Sequence, residues 1–326
     1  MGTSNVAQSV RDRLLHRMRD TGENYQALLT RYALERLLYR ISVSEAAEAL
    51  VLKGAYTFLV WEGTPHRPTK DIDFLGYGAP EQLESVFRQV CQVDAEHGDV
   101  EEDGVIFDPA SVQVEEIRGR DEYGGLRVKL KASIDTASLV LQVDVGFGDA
   151  VTPAAEETTF PTLLEGFRAP RLKTYPRETV IAEKLECLVS WGMATTRLKD
   201  VYDLGYLAQT FDFEGPVLAS AIKATFARRA TPIPSATPVA LTEAFAHDAD
   251  KQKQWRAFQN RTFGTPTSGK PTSGKHAGPG NARDDLHTAD LHTVIGRLRR
   301  FLEPPLTAIR DNETFPREWP AGGPWT

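Results

Sequence analysis

The spacing of hydrophobic positions predicts a mixed first half of the chain and a helical second half. Period-two alternation and short apolar runs predict strands at 50–52, 104–107, 112–117, 126–134 and 139–147. Apolar residues at helical spacing predict helices at 8–38, 80–91, 178–191, 198–209, 216–228, 241–258 and 286–308. This order predicts an α+β protein, in which helices flank a small mixed β-sheet and a C-terminal helical domain follows.

Four segments are expected along the chain. They are a core with N-terminal helices at 1–165, a helical domain at 166–262, a flexible linker at 263–284, and a helix with a proline-rich tail at 285–326. Within the linker, 269–275 matches half of a phosphate-binding loop, but position 276 is His and no strand precedes it. We therefore expect no phosphate site there. The tail carries Trp319 and Trp325, and its composition is compatible either with disorder or with packing onto the body.

Three aspartates are the candidate metal ligands. Asp71 and Asp73 lie two residues apart in a strand-like segment, so their side chains leave the same face. Asp144 interrupts the apolar run 139–147, where a buried carboxylate needs a partner. A shared Mg²⁺ or Mn²⁺ would supply that partner, because these ions prefer oxygen ligands. The alternative for Asp144 is an edge strand on which it faces water.

A candidate phosphate site precedes the aspartate pair. Gly54 and Ala55 follow the apolar run 49–52 and begin an expected helix. A glycine here lets the chain turn sharply and present backbone N–H groups to an anion. The loop that leads to the aspartates carries Arg67 and Thr69, which add a positive charge and a hydroxyl.

A second group of candidates lies in two expected helices. The apolar positions of 179–189 recur at helical spacing and leave Lys184 near the boundary of the buried stripe. Asp200 and Asp203 are three residues apart on the next helix and share a face. We expect Asp203 to orient Lys184 or an incoming substrate, and Asp200 to be a surface or capping acid.

The first group of motifs resembles a known superfamily. Gly54-Ala55, the Asp71-x-Asp73 pair and the strand residue Asp144 resemble nucleotidyltransferases with the DNA polymerase β-like fold. This resemblance implies a nucleotidyltransferase core. Many members carry a second Gly or a Ser where this chain has Ala55, so a hydroxyl donor to phosphate is lost here.

The second group of motifs narrows the resemblance from this superfamily to one family. The segments 176–185 and 197–204 are similar to those of the AbiEii/AbiGii toxin family, whose members include the mycobacterial MenT toxins. That family pairs a Lys on one helix with a Lys/Arg-x-Lys-Asp-x-Tyr-Asp-Leu segment on the next. The resemblance covers about residues 45 to 210.

The resemblance implies the transfer of a nucleoside monophosphate from an NTP, with CTP or UTP expected rather than a purine, to the 3′ end of tRNA. It implies the toxin of a toxin–antitoxin system that blocks translation, with a cognate antitoxin as partner. Two Mg²⁺ or Mn²⁺ ions would lie about 3.5 to 4 Å apart, as in two-metal sites generally. Catalysis is assigned to Asp71, Asp73, Asp144, Lys184 and Asp203, with the first three as metal ligands. Nucleotide binding is assigned to Lys53, Gly54, Ala55, Arg67, Thr69 and Lys184.

Composition changes this picture little. The net charge of −7 argues against a general nucleic-acid coat, so RNA contact is expected only at local basic groups. Those groups are Arg118, Arg120, Arg127, Lys129 and Lys131, followed by Arg168, Arg171, Lys173 and Arg177. Cys91 and Cys187 are far apart, which indicates neither a disulfide framework nor a cysteine metal site. With no apolar run of membrane-spanning length and no signal-like start, we expect a cytoplasmic protein without a membrane partner.

Two other functions fit the same residues. A metal-dependent nuclease would use a similar acid cluster with water as the nucleophile. A non-catalytic nucleotide-binding regulatory protein would keep the fold, although three intact acids argue against it. His287 and His292 have no Cys or acidic partner at ligand spacing, so we expect them to be ordinary polar residues.

Overall fold

The chain forms two compact units. The first contains Met1–Gly148 and Ala155–Tyr175, and the second contains Asp149–Ala154 and Pro176–Thr326. The computed structural model describes residues 3–93, 101–117, 125–264 and 282–326. The expected limit at 165 falls inside the first unit, and the expected fourth segment falls inside the second. The phosphate-loop-like repeat of the linker lies outside the described residues.

Seven strands of the described chain form one mixed sheet in the first unit. They are β1 (Leu50–Lys53), β2 (Asp71–Gly76), β3 (Val105–Ile117), β4 (Gly125–Ile134), β5 (Ala137–Phe147), β6 (Glu156–Thr159) and β7 (Arg171–Thr174). Their order across the sheet is β3-β4-β5-β2-β1-β7-β6. β2 and β5 are parallel, as are β1 and β7, and the other neighbours are antiparallel.

Most of these strands were predicted, with two differences. The predicted strands 104–107 and 112–117 are one strand, β3, whose register shifts between Asp108 and Gln113. β6 and β7 were missed because each has only four residues and lacks a long apolar run.

Helices cover one face of this sheet. They are α1 (Thr3–Thr21), α2 (Tyr25–Ser42), α3 (Ala46–Ala49), α4 (Thr57–Glu62) and α5 (Leu83–Gln92). α2 begins at a side-chain cap, where Asn24 accepts a hydrogen bond from the N–H of Ala27 at 3.0 Å. Apolar residues of α1, α2 and α5 pack with alternate residues of the strands to form the core. The opposite side of the strands carries the polar residues that form the candidate site.

The second unit is mainly helical. Its helices are α6 (Arg177–Trp191), α7 (Leu198–Thr210), α8 (Gly215–Arg228), α9 (Glu243–His247), α10 (Ala249–Phe263), α11 (Ala282–Thr288) and α12 (Leu291–Arg310). The C-terminal tail packs onto these helices, because Trp319 and Trp325 are buried and donate hydrogen bonds to the carbonyls of Ala208 and Phe301. Two short strands, β8 (Phe213–Glu214) and β9 (Glu318–Trp319), pair there. Within the described ranges, no helix is both long enough and apolar enough to cross a membrane.

The predictions of one continuous helix at 241–258 and another at 286–308 are wrong, because an aspartate divides each segment. Asp248 separates α9 from α10 and accepts a hydrogen bond from the N–H of Lys251 at 2.9 Å. Asp290 precedes α12 and accepts one from the N–H of Thr293 at 2.7 Å. Each side chain satisfies an N–H group at a new helix start, while the apolar spacing continues through the break.

Candidate active site

Asp71, Asp73 and Asp144 lie on the same face of the sheet. The register of the parallel strands β2 and β5 aligns Asp71 with Gln142 and Asp73 with Asp144. The alternate residue Ile72 is fully buried in the core, whereas the three acids are partly buried on the other face. β5 lies between β4 and β2, so the edge-strand alternative for Asp144 is wrong. Since neighbouring strands are about 4.8 Å apart, two carboxylates stand side by side.

The row that contains this carboxylate pair extends across five strands. Lys53 of β1 is the register partner of Asp73, and Arg127 of β4 is the partner of Asp144. Glu115 of β3 is in turn aligned with Arg127. A cation therefore flanks the two adjacent carboxylates on each side, which offsets part of their mutual repulsion.

Arg127 holds Asp144 through two hydrogen bonds. Its Nε lies 2.9 Å from Oδ1 and its Nη2 lies 2.8 Å from Oδ2. The hydrogen bond to the carboxylate of Asp144 raises the pKa of Arg127. Each carboxylate oxygen has a second lone pair, so the bidentate contact orients Asp144 and leaves it able to bind a cation. The sequence placed Arg127 in a basic group for RNA and did not predict this contact.

Gly54 brings the backbone against the carboxylate of Asp73. Its φ of +73° lies in the left-handed region that favours glycine. A Cβ at this position would lie 2.1 Å from Oδ2 of Asp73, which is far inside van der Waals contact. The turn is closed by the hydroxyl of Thr57, which donates to the carbonyl of Gly54 at 2.7 Å. The predicted turn therefore lies directly beside the predicted metal ligands.

The loop between α4 and β2 is anchored at both ends. Gly63 ends α4 with a φ of +71°. His66 is buried and stacks on Phe58 of α4, with ring centroids 3.6 Å apart. The hydroxyl of Thr69 donates to the carbonyl of Asp71 at 3.3 Å. These contacts hold the segment that carries Arg67, and the stacking of His66 was not predicted because it depends on a partner in another element.

Lys184 forms a compact ion-pair cluster in the second unit. Its Nζ lies 2.7 Å from Oδ1 of Asp200 and 2.8 Å from Oδ2 of Asp203. Both aspartates are fully buried, and Lys184 is 9% exposed. Asp203 therefore contacts Lys184 as expected, but the prediction that Asp200 is a surface or capping acid is wrong. Burial alone would raise the pKa of Asp200, but the charges of Lys184 and Arg197 outweigh it and lower that pKa.

These motifs can now be compared with known proteins. The family model described as "Nucleotidyl transferase AbiEii toxin, Type IV TA system" matches residues 36–284, which is well over half of the chain. The chain belongs to this AbiEii family. The match includes every residue assigned above to metal, nucleotide or catalysis, and it confirms the predicted family and the predicted enzyme class, a nucleotidyltransferase. The mixed sheet with flanking and C-terminal helices confirms the predicted fold class.

Two solved structures resemble this AbiEii protein distantly. One is JHP933 from Helicobacter pylori, at 15% identity and a TM-score of 0.46, covering 89% of this chain and 98% of that one. The other is a candidate nucleotidyltransferase from H. pylori, at 16% identity and a TM-score of 0.46, covering 86% and 98%. No curated protein matches the chain.

A partly buried cluster around Arg229 of the AbiEii protein was not predicted. Arg229 contacts Oδ1 of Asp149 at 3.0 Å, Oε2 of Glu186 at 2.8 Å and Oε1 of Glu183 at 3.6 Å. It joins Asp149–Ala154 to α6 within the second unit. Burial acts to raise the pKa of Glu186, but hydrogen bonds from Ser190, Thr231 and Arg229 lower it. Residues so far apart in sequence carry no local signal of this contact.

Both predicted basic groups contain residues that pair with carboxylates. Arg118 and Arg120 lie outside the described residues. Lys129 and Lys131 alternate with buried residues of β4 on the same face as Arg127, and Lys129 Nζ lies 2.6 Å from Oε1 of Glu115. In the second group, three members belong to the first unit and Arg177 belongs to the second. In β7 of that group, Arg171 pairs with Glu157 at 2.6 Å and Lys173 pairs with Glu48 at 2.5 Å.

Proposed function

We propose that this AbiEii-family enzyme uses a divalent cation to transfer a nucleoside monophosphate from an NTP to the 3′-hydroxyl of tRNA. The observation that carries the proposal is the alignment of Asp73 with Asp144 beside the turn at Gly54. In the reaction, the hydroxyl oxygen bonds to the α-phosphorus and gives up its proton. The bond from that phosphorus to the bridging oxygen breaks, and pyrophosphate leaves with the electron pair.

The acid cluster fits Mg²⁺ or Mn²⁺. Asp71, Asp73 and Asp144 offer oxygen donors on one face of two neighbouring strands, and oxygen donors are what these hard cations select. A bound cation would polarise the phosphate and stabilise the charge that develops on the leaving group. Arg127 fixes the direction of Asp144, and we propose it as a positioning residue.

The backbone around Gly54 would receive the phosphates. A turn without a side chain lets a phosphate approach the N–H groups of Gly54 and Ala55 closely. Lys53 is aligned with Asp73 in the same row, so its ammonium would balance phosphate charge there. We retain Arg67 and Thr69 as further nucleotide contacts.

Lys184 is the proposed point charge for the triphosphate, a role that the family resemblance implies. Two buried carboxylates pair with its ammonium and restrict its direction. A charge that is already oriented stabilises a phosphate with little reorganisation. Asp203 acts in this proposal as a positioning residue for Lys184.

The acceptor is proposed to follow β4. Arg127, Lys129 and Lys131 present side chains on one face at successive alternate positions, beginning at the partner of Asp144. Such a basic stripe provides a path for a phosphate backbone that ends at the acids. The choice of tRNA, and of CTP or UTP as donor, follows from the family resemblance. Addition to the tRNA end would block translation, and a cognate antitoxin would oppose it.

Labelled nucleotide transfer tests this proposal. Purified protein is incubated with tRNA, Mg²⁺ and each NTP labelled at the α-phosphate, and the RNA is separated on a denaturing gel. We expect labelled tRNA lengthened at its 3′ end with CTP or UTP, no product after chelation, and none with Asp73→Asn. Asp20→Asn, which changes an exposed acid of α1, is the matched control and should act as the wild type does. Shortened RNA would indicate a nuclease instead, and unchanged RNA with every NTP would reject tRNA as acceptor.

A further inference from the structure

Glu243, His247 and His292 form an exposed cluster that the proposed reaction does not use. Glu243 and His247 lie one turn apart on α9, and His292 lies in the first turn of α12. Oε2 of Glu243 is 3.3 Å from Nδ1 of His247 and 3.1 Å from Nε2 of His292. One potential ligand atom from each residue lies within 4.8 Å of the others. The fold thus gives His292 the acidic partner that its local sequence lacks.

These spacings suit a transition-metal ion. Nitrogen and oxygen ligands bound tetrahedrally at about 2.0–2.1 Å from Zn²⁺ are separated by about 3.3–3.4 Å. The distance of 3.1 Å between Oε2 of Glu243 and Nε2 of His292 is close to that separation. Two imidazoles and one carboxylate are also a ligand set of open zinc sites, in which water takes the fourth position. Nitrogen donors favour Zn²⁺ or a similar borderline ion over Mg²⁺.

The surrounding charges are compatible with a cation. The carboxylate of Asp290 caps α12 and offsets the positive end of the helix next to His292. Arg299 interacts electrostatically with Glu243, but its Nε is bonded to Glu303 at 2.8 Å. Nδ1 of His247 also lies 3.0 Å from the carbonyl of Glu243. The tautomer that donates to this carbonyl leaves Nε2 of the same ring as the metal-binding atom.

We propose that Glu243, His247 and His292 bind one Zn²⁺ or similar borderline divalent ion, which ties α9 to the start of α12. The chain between the two histidines contains 44 residues. An ion bound at both ends closes this segment into a long loop. Because the ion binds the assembled ligands of the folded state more tightly than the separated ligands of the unfolded chain, it stabilises the fold. The proposal uses none of the residues assigned to nucleotide transfer and stands independently of that reaction.

Zinc titration of the tag-free, full-length protein tests the site. By calorimetry at neutral pH we expect one Zn²⁺ whose binding is retained in Asp73→Asn and in excess Mg²⁺. Saturation should raise the thermal unfolding midpoint by about 5 °C or more. His292→Ala and Glu243→Gln should each weaken this binding at least about tenfold.

The chain provides a matched control for these variants. His16 pairs with Asp20 one turn away on α1, at 3.3 Å between Nε2 and Oδ2, and both side chains are exposed. His16→Ala should leave zinc affinity and the midpoint shift unchanged. Circular dichroism should show that His16→Ala, Glu243→Gln and His292→Ala are folded, since these three side chains are more than half exposed. No zinc binding, or the same loss in His16→Ala as in His292→Ala, would overturn the proposal.

Discussion

The acid cluster of the first unit and the lysine cluster of the second both combine carboxylates with cations, but they differ in burial. Asp71, Asp73 and Asp144 are partly exposed, and two carboxylates adjoin in one row. Asp200 and Asp203 are fully buried, and both contact Lys184. Repulsion among the first group weakens the fold slightly, whereas the second group depends on its lysine for charge balance. A substitution in the first cluster should therefore affect chemistry, and one in the second should affect folding as well.

The largest expected effect is on transfer by Asp73→Asn. Losing one metal ligand removes several kcal/mol of transition-state stabilisation, so the rate should fall about a thousandfold or more. The free energy of unfolding in urea should stay within about 1 kcal/mol of the wild type, because the change relieves repulsion with Asp144. Rates from the tRNA assay and urea titrations would be compared with those of Asp20→Asn. An active Asp73→Asn protein contradicts the catalytic assignment.

Lys184→Met, in contrast to Asp73→Asn, should strongly lower the stability of the fold. It leaves Asp200 and Asp203 buried without their ammonium partner, which should lower the free energy of unfolding by about 3 to 5 kcal/mol. Urea denaturation measures this loss, and Lys199→Met on the exposed side of α7 is the matched control. A Lys184→Met protein as stable as the wild type would contradict the structural role of Lys184. Normal NTP binding by the same protein would contradict the proposed contact between Lys184 and the triphosphate.

Arg127→Gln should have an intermediate effect. The substitution removes the bidentate contact that orients Asp144, and such supporting residues typically contribute about 10- to 100-fold to metal affinity or activity. Mn²⁺ binding, measured by calorimetry, should weaken together with the transfer rate. If the rate falls while Mn²⁺ affinity is unchanged, the positioning role of Arg127 is rejected and only its proposed contact with RNA remains. Arg88→Gln, an exposed ion-pair residue of α5, is the control.

Acid sensitivity is the smallest expected effect. Asp200 and Glu186 have folded-state pKa values below their ordinary values of 3.8 and 4.5. They therefore stabilise the fold above those values, and the contribution is lost as pH falls through the lowered pKa values. Each proton contributes at most about 1.4 kcal/mol per pH unit. Urea titrations from pH 7 to 3 should show stability falling below about pH 4.5, less steeply in Asp200→Asn, whereas rising stability on acidification would contradict this.

The fold was more predictable where the signal is local and periodic. β2, β4 and β5, the helices α5 to α8, and the turn at Gly54 follow from alternation, helical spacing and the position of one glycine. The break at Asp248 was missed because an N-cap residue interrupts a helix without interrupting the apolar spacing. β6 and β7 were missed because they are short strands whose stability comes from the rest of the sheet.

The candidate site was predictable in its residue types and less so in its contacts. Two-residue spacing was enough to place Asp71 and Asp73 on one face. The bond between Arg127 and Asp144, the stacking of His66 and the burial of Asp200 could not be read from the chain. Each depends on which residue of a distant element lies opposite.

The amino-acid order alone determined which side chains share a strand face or a helix face, because that depends only on the backbone repeat. It also carried the motifs by which the family is identified. Tertiary structure alone decided that Asp144 stands beside Asp73, that Lys184 has two buried partners, and that Glu243 reaches His292. Strand register and helix packing are set by the burial of the whole core, and no short stretch of sequence contains that information.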